Sequence, residues 1–199
     1  MGGVFGVRGS RVVCTDDRRK RLKRYNTPGH AHFLTFSCHE RRPYLRDPKA
    51  CEIFLSEIRR ARDEHSFRVW AYVLMPDHVH LLIWPTQNAY SIARILNDAK
   101  GRMSKQYRDI VMQQRPQDFA QYTVSARGRK IFRFWLPGGG FDRNVWNARA
   151  VHGTIRYIEL NPVKKRLVLK AEEYPWSSAY AGAGSVLLPT DRCSVPLAW

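Results

Sequence analysis

The sequence predicts an α+β protein with a ferredoxin-like antiparallel sheet, in which the elements follow the order β-α-β-β-α-β and both helices lie on one face. Three observations support this prediction. Two segments repeat apolar residues at helical spacing, four shorter segments are rich in aromatic and β-branched residues, and two of these strands are joined by one tight turn. With 199 residues, 44% of them hydrophobic, the chain can bury a substantial core.

The first half of this order begins with a predicted strand from His32 to Cys38. A helix follows from Asp47-Pro48, because Asp caps helices and Pro is favoured at the first helical position. Two further strands are predicted, from Phe67 to Leu74 and from His78 to Trp84. The Pro76-Asp77 turn between them is short enough to form an antiparallel hairpin.

The second half begins with a helix capped by Ser91. Its predicted buried stripe is Ile92, Ile95, Leu96, Ala99 and Met103. The polar stretch from Val111 to Thr123 is predicted to be a loop, and the fourth strand is predicted from Lys130 to Leu136. An additional helix is expected from about Val145 to Leu160, closed by Asn161-Pro162, since the residue before a proline avoids the helical conformation.

Three regions are expected along the chain. Residues 1–25 form a basic N-terminal arm, residues 26–163 form the main domain, and residues 164–199 form a C-terminal tail with little periodicity. The glycine run Gly138-Gly139-Gly140 before the additional helix is a candidate hinge, because glycine has wide conformational freedom.

The charge of the chain indicates its partner. Lys and Arg number 34 against 17 Asp and Glu, giving a formal net charge of +17. A surplus of this size is typical of proteins that bind a polyanion, and nucleic acid is the first expectation. No apolar run of 18 residues is present, so a membrane is not the expected partner.

Cysteine usage and the N-terminus indicate the compartment. The four cysteines form no CxxC pair, which argues against a structural zinc site. The first 13 residues lack the continuous apolar segment of a secretion signal. A cytoplasmic location with reduced thiols is therefore expected.

The tripeptide His78-Val79-His80 is a candidate metal site. Side chains alternate along a strand, so both imidazoles project from the same face. Two neighbouring imidazoles can bind one divalent cation, although a bare His-x-His is more often a pair of ordinary surface or core histidines. A metal site therefore needs a further O or N donor from elsewhere in the fold.

The additional helix carries a candidate for that donor. Tyr157 and Asn161 are four residues apart and share a helical face, so Asn161 can offer a carbonyl oxygen and Tyr157 a hydroxyl. A tyrosine is an effective nucleophile where the target is a phosphodiester and a metal offsets the negative charge of the transition state. Tyr107, on the second helix, is an alternative nucleophile, and a core role remains open for either tyrosine.

In combination, these residues resemble a known family. The segment from Ala71 to Ile83, with its Pro76-Asp77-His78-Val79-His80 centre, is similar to the HUH segment of single-tyrosine transposases. Tyr157-Ile158, Asn161-Pro162-Val163-Lys164 and Trp176-Ser177-Ser178 are similar to motifs of the REP-associated tyrosine transposases. The motifs occur in the order of that family, over roughly residues 25 to 180.

The resemblance implies an activity and a site. His78, His80 and Asn161 would bind Mg²⁺ or Mn²⁺, and Tyr157 would attack a phosphate of single-stranded DNA. A 5′-phosphotyrosine intermediate and a free 3′-hydroxyl would result. The expected substrates are DNA hairpins such as repeated extragenic palindromes, and the protein would act as a monomer or a homodimer.

Side chains that bind such DNA should combine positive charge with aromatic rings. The candidate phosphate contacts are Arg41, Arg42, Lys100, Arg102, Arg127, Arg129, Lys130 and Arg143. The candidate stacking residues are Tyr44, Trp84, Phe134 and Trp135. An ordinary role on the surface or in the core stays open for each of them individually.

Three other functions fit part of these observations. A replication-type or conjugation-type HUH nickase would use the same histidines and tyrosine on a different DNA. A catalytically silent DNA-binding protein would keep the fold and the charge, but binding alone does not require the His, Tyr and Asn set. An unrelated metal-dependent hydrolase would need a carboxylate-rich site, and only Asp77 lies beside the histidines.

Overall fold

The computed structural model describes residues 25–126, 128–180 and 187–197. The strands are β1 (Ala31–Ser37), β2 (Phe67–Met75), β3 (His78–Pro85), β4 (Thr123–Ala126), β5 (Arg129–Phe132) and β6 (Phe141–Val145). The helices are α1 (Pro48–His65), α2 (Ile92–Gln114), α3 (Ala148–Glu159), α4 (Asn161–Lys164) and α5 (Pro189–Cys193). The main sheet has the antiparallel order β2-β3-β1-β6, and β4 and β5 form a separate hairpin. This order confirms the predicted ferredoxin-like fold.

The helices α1 and α2 pack together on one face of the sheet, as predicted. Asp47 caps α1 by accepting a hydrogen bond from the Lys49 amide, and Ser91 caps α2 in the same way. The apolar stripe predicted for α2 is fully buried. It joins the larger of two core clusters, together with Val79, Leu81 and Ile83 of β3.

The helix α3 covers the opposite face of the sheet. Val151 and Ile158 bury one side of α3 in a second core cluster, against side chains of β2 and against Leu82 of β3. The sheet is therefore enclosed between the α1–α2 pair and α3. His78 and His80 share a face of β3 with Leu82, so they also lie on the side of the sheet that α3 covers.

The prediction of the fourth strand was wrong in position. The segment that pairs with β1 is Phe141–Val145, and the predicted segment Lys130 to Leu136 contributes instead to the β4–β5 hairpin and to the loop after it. The additional helix consequently begins at Ala148, capped by Asn147, rather than at Val145. Strand β6 lies at the edge of the sheet and carries three consecutive polar residues. It therefore lacks the apolar pattern from which strands were predicted.

Two further stretches differ from expectation. The predicted loop from Val111 begins as the last turn of α2, where Val111 is buried, and a short 3-10 helix follows from Pro116 to Tyr122. Part of the expected tail is packed on the domain, because Trp176 and Ser178 exchange backbone hydrogen bonds with the free edge of β2.

Two of the predicted features lie outside the described residues. They are the basic arm, apart from Tyr25, and the candidate phosphate contact Arg127. Within the described ranges, no helix combines the length and the apolar character needed to cross a bilayer.

Candidate active site

The two histidines of β3 project together toward α3. The Nε2 atoms of His78 and His80 lie 3.2 Å apart. Adjacent ligands of an octahedral ion bound at roughly 2.1 Å are separated by about 3 Å, so this spacing suits a shared divalent cation. The turn before His78 is held by backbone bonds, as Cys38 and Leu45 donate to the carbonyls of Asp77 and Pro76.

Each imidazole is oriented through its other nitrogen. Nδ1 of His78 lies 2.6 Å from an Asp77 carboxylate oxygen, and Nδ1 of His80 lies 2.7 Å from the Thr35 hydroxyl. A carboxylate can only accept, so His78 donates from Nδ1, which leaves Nε2 as the nitrogen that can bind a cation. Partners of this kind fix the tautomer and the direction of metal-binding histidines. Thr35 is opposite His80 in the sheet register, a pairing that sequence reasoning missed.

His80 is held in its neutral form. Burial, followed by the proximity of His78, lowers the pKa of His80 to about 4. Its ring also stacks on Phe33, with ring centroids 5.5 Å apart. An imidazole in this environment keeps an unprotonated nitrogen at neutral pH, which cation binding requires.

Tyr157 of α3 lies beside this histidine pair. The rings of Tyr157 and His80 are 5.5 Å apart between centroids, and the Tyr157 ring also meets Phe33 edge to face. The residue is 42% exposed, so Tyr157 is open to solvent. The ammonium of Lys164 lies 5.2 Å from the centre of the Tyr157 ring and adds positive charge to the site.

Tyr107, the alternative nucleophile, is in the core. It is fully buried, and its hydroxyl is engaged by Asp47 at 2.7 Å and Tyr122 at 2.9 Å. Burial raises the pKa of the Tyr107 hydroxyl far above its ordinary value. A DNA strand has no access to this hydroxyl in the folded protein.

Asn161 lies at the junction of α3 and α4, one turn beyond Tyr157. The side chain is buried, and its amide nitrogen is 3.5 Å from the backbone carbonyl of Tyr157. The amide oxygen is the atom of Asn161 that can bind a cation. Leu160 lies between α3 and α4. The backbone amide of Lys165 donates a hydrogen bond to the Asn161 carbonyl.

A cavity of about 610 Å³ adjoins Tyr157. Its walls include Phe33, Arg143, Trp146 and Thr154, so it lies between the edge strand β6 and α3. Trp146 is 68% exposed and stacks on His30 at a centroid distance of 5.5 Å. Trp146 was not among the residues selected from the sequence. Its position directly before Asn147, the cap of α3, could have drawn attention to it.

The tyrosine helix is also attached to the C-terminal segment. The carboxylate of Glu159 accepts a hydrogen bond from the buried Ser178 hydroxyl at 3.0 Å. The same hydroxyl accepts from the Tyr72 amide of β2 at 3.2 Å. Burial raises the pKa of Glu159, and the Ser178 bond partly offsets that shift. Ser178, part of a motif noted in the sequence, thus links α3 to the sheet edge.

Comparison with known proteins fits this geometry. Residues 25–124, just over half of the chain, match the family model described as Transposase IS200 like. The chain belongs to the IS200-like transposase family. Its histidine pair and most of the sheet around it fall inside the matched range.

The names of similar proteins are more specific than the family description. A REP-associated tyrosine transposase of Escherichia coli is 23% identical over 171 residues, which cover 85% of this chain and 88% of that protein. A Haemophilus influenzae protein named in the same group is 24% identical, over 83% and 88% of the two chains. These similarities confirm the resemblance noted in the sequence.

A solved structure has the same fold as this transposase. It is a REP-associated tyrosine transposase bound to a REP hairpin, and it superposes with a TM-score of 0.64 at 18% identity. The alignment covers 85% of this chain and 88% of the other.

The candidate phosphate contacts of the transposase fall in different places. Arg143 lines the cavity beside Tyr157, and Arg41 lies 3.5 Å from Asp77, near the histidine pair. Arg42 is exposed, with its guanidinium bonded to the Gln121 carbonyl. Arg102 is exposed on α2, on the opposite face of the sheet, and Arg129 and Lys130 are exposed on the β4–β5 hairpin.

Lys100, another candidate phosphate contact, is buried rather than exposed on α2. It is only 9% exposed, and its ammonium donates to the Gly138 carbonyl at 3.1 Å. The ammonium also lies 5.2 Å from the centre of the Phe36 ring. Lys100 therefore anchors the glycine-containing loop to α2, a role that the helical pattern could not reveal.

Most of the candidate stacking residues of the transposase are in its core. Tyr44, Phe134 and Trp135 are buried, and they pack with Tyr122 and Phe54 in an aromatic cluster beneath the sheet. Trp84 is half-buried and stacks on Trp70. None of these four is as accessible as Trp146.

One more group of potential ligands is present among the described residues. Ligand atoms of Glu64, His65 and Asp98 lie within 4.8 Å of one another, at the ends of α1 and α2 away from Tyr157. Arg60 forms ion pairs with both carboxylates, and Arg102 also pairs with Asp98. These cations already neutralise the group, which argues for a structural ion-pair network.

Proposed function

We propose that this transposase cleaves and rejoins single-stranded DNA at hairpin sites of the REP type, with Tyr157 as the nucleophile. The observation that carries the proposal is the contact between Tyr157 and His80 on one face of the sheet. A metal-binding pair and an exposed phenol next to it are the two components that tyrosine-dependent cleavage of DNA requires.

The proposed reaction is a transesterification. The Tyr157 hydroxyl gives up its proton as its oxygen attacks the phosphorus of the scissile phosphodiester, and the bond to the 3′-oxygen breaks. That oxygen takes up a proton and leaves as a 3′-hydroxyl, so the step consumes and releases no net proton. The phosphorus stays attached to the 5′ side of the break as a phosphotyrosine ester. One phosphodiester replaces another, so the same or another 3′-hydroxyl can attack the adduct and rejoin the strands.

We propose that His78, His80 and Asn161 hold Mg²⁺ or Mn²⁺. The 3.2 Å separation of the two Nε2 atoms and the bonds that fix both Nδ1 atoms support the two histidine ligands. Asn161 is included because it lies one helical turn after Tyr157 with a buried side chain, whose amide oxygen is the atom that can bind a cation. When bound, the ion supplies charge neutralisation at the scissile phosphate. Lys164, beside the Tyr157 ring, adds a second positive charge at the same place.

The protein itself contributes orientation. The stacked rings of Phe33 and His80 both contact the Tyr157 ring edge to face, and Ser178 fixes the end of α3 through Glu159. Because α3 packs on the sheet of its own chain, one chain supplies the nucleophile and both histidines. We therefore propose the monomer as the unit that performs cleavage. Action on DNA fits the cytoplasmic location that the sequence leads us to expect.

The choice of hairpin DNA is supported by the relatives. The matching structure contains a REP hairpin, and the curated relatives carry REP-associated names. The net charge of +17 supports a strongly anionic partner.

Covalent trapping tests the proposal. Purified protein is incubated with a labelled hairpin that carries single-stranded flanks, with Mg²⁺, Mn²⁺ or a chelator, and separated on a denaturing gel. We expect a slowly migrating protein–DNA adduct that requires the metal and is lost in Tyr157→Phe. Tyr107→Phe is the matched control and should retain the adduct.

Each other outcome has a definite meaning. An adduct that persists in Tyr157→Phe would remove Tyr157 as the nucleophile. Tight hairpin binding with no adduct under any metal condition would favour the catalytically silent DNA-binding protein. An adduct formed on origin-like hairpins but not on REP-like hairpins would favour the nickase.

A further inference from the structure

The cavity beside Tyr157 lies where a strand attacked by Tyr157 would pass. Tyr157 forms part of its wall, so the nucleotide next to an attacked phosphate would lie in or directly beside it. Its volume of about 610 Å³ falls within the roughly 300–1,000 Å³ typical of pockets for small organic groups. A nucleobase with its sugar is small enough to fit within this volume.

Trp146 gives the cavity an aromatic wall. The side chain is 68% exposed, although a tryptophan normally gains stability from burial. Its ring stacks on His30 with an interplanar angle of 28°, which holds the indole in a defined direction. An oriented and accessible aromatic ring is the feature that proteins use to stack unpaired bases.

Arg143 gives the same cavity a fixed positive charge. It is paired with Phe33 in the sheet register, and its guanidinium carbon lies 5.6 Å from the centre of the Phe33 ring. One guanidinium nitrogen also lies 3.4 Å from the Thr154 hydroxyl of α3. The guanidinium is therefore oriented within the cavity, where it can meet the phosphate of a bound nucleotide.

We propose that this cavity is a subsite for one unpaired nucleotide adjacent to the scissile phosphate. Its base stacks on Trp146 and its phosphate contacts Arg143. The subsite deepens the proposed function and rests on it for the identity of the strand. It adds a requirement for one particular unpaired base, distinct from recognition of the hairpin itself.

A double-mutant cycle between protein and DNA tests the subsite. Equilibrium binding of a flanked hairpin is measured in chelator, so that no cleavage occurs, for wild type, Trp146→Ala and Trp146→Phe. The flank positions are replaced by abasic sites one at a time. Since the stacking of one base contributes about 1–3 kcal/mol, the loss of Trp146 should weaken binding by about 5-fold to 150-fold.

The expected pattern is coupling at a single position. An abasic site there should weaken binding by wild type to a similar extent and should not weaken Trp146→Ala further, and Trp146→Phe should keep most of the affinity. Met112→Ala, which removes an exposed apolar side chain of α2, should bind as wild type does. Arg143→Gln should weaken binding and should reduce its dependence on salt.

Two results would overturn the subsite. Unchanged affinity in Trp146→Ala would exclude base stacking, and an equal loss for every abasic substrate would show that Trp146 acts without a particular base. Both results are binding measurements in chelator. Metal-dependent cleavage by wild type is assayed separately, so the subsite can fail while the proposed function holds. Coupling at one position without any adduct in the presence of metal would instead overturn the proposed cleavage and leave Trp146 as a binding site for one unpaired base.

Discussion

Replacing Thr35 by valine should weaken metal-dependent cleavage and leave hairpin binding intact. The substitution keeps the branched shape of the side chain and removes the hydroxyl that lies 2.7 Å from Nδ1 of His80. His80 would then lose the partner that sets its direction and would keep a buried Nδ1 without a hydrogen bond. Loss of an outer partner of a metal-binding histidine typically costs about 10-fold to 100-fold in metal affinity.

That range corresponds to about 1.4–2.8 kcal/mol. The assay follows adduct formation as a function of Mn²⁺ concentration, and the midpoint for Thr35→Val should rise by one to two orders of magnitude, about the range above. Hairpin affinity in chelator should stay as in wild type. Thr123→Val is the matched control, because Thr123 is also half-buried and donates its hydroxyl to a carbonyl, that of Phe119, in the β4–β5 region.

An unchanged Mn²⁺ midpoint in Thr35→Val would refute the reasoning, since His80 would then need no orientation from Thr35. An equal rise of the midpoint in Thr123→Val would point to a general loss of stability rather than to the site.

Three further predictions concern stability, positioning and charge. Gly140→Ala should destabilise the fold by about 3 kcal/mol or more, because the added Cβ would lie 2.1 Å from the Thr35 carbonyl oxygen at a φ of +69°; thermal unfolding measures this loss. Ser178→Ala should slow adduct formation about 5-fold at unchanged hairpin affinity, since one hydrogen bond to Glu159 contributes about 1 kcal/mol; single-turnover rates measure it. Hairpin affinity should fall by about 10³ or more between roughly 50 and 200 mM salt if six or more phosphates are contacted; fluorescence anisotropy over a salt series measures it.

Each of these three predictions has a control or a result that would contradict it. Gly128→Ala, at a φ of +72° with nothing within 4 Å of the added Cβ, isolates the backbone strain and should cost less than Gly140→Ala. Equal losses in the two glycine variants would exclude the contact with Thr35. Ser178→Thr should restore the rate lost in Ser178→Ala, and a fall in hairpin affinity in the alanine variant would contradict a role confined to the tyrosine helix. A flat salt response would contradict contact with phosphates.

The sequence was sufficient to predict the elements that have a strong local pattern. The cap and the proline at Asp47-Pro48, the stripe of α2 and the two-residue turn before His78 all describe local physics, and each is confirmed by the structure. The shared face of His78 and His80 follows from strand alternation alone. The residues around Tyr157 and its partner Asn161 favoured Tyr157 over Tyr107 as the nucleophile, and the burial of Tyr107 is consistent with that preference.

The remaining features depend on contacts between distant residues. Thr35 becomes a partner of His80 only through the register of β1 with β3, and Glu159 meets Ser178 only because the C-terminal segment returns to the edge of β2. Strand β6 was missed because an edge strand needs few apolar residues. The burial of Lys100 was not predicted from the sequence. A long side chain can bend away from solvent and reach a distant carbonyl, here that of Gly138.

The most direct test of the central claim is to identify the residue that carries the DNA. Adducts formed with Mn²⁺ on a flanked hairpin would be digested with nuclease and protease, and the peptide that retains a nucleotide 5′-phosphate would be sequenced by mass spectrometry. We expect a single modified residue, Tyr157. Modification of any other residue, or a cleaved strand with no protein attached, would contradict it.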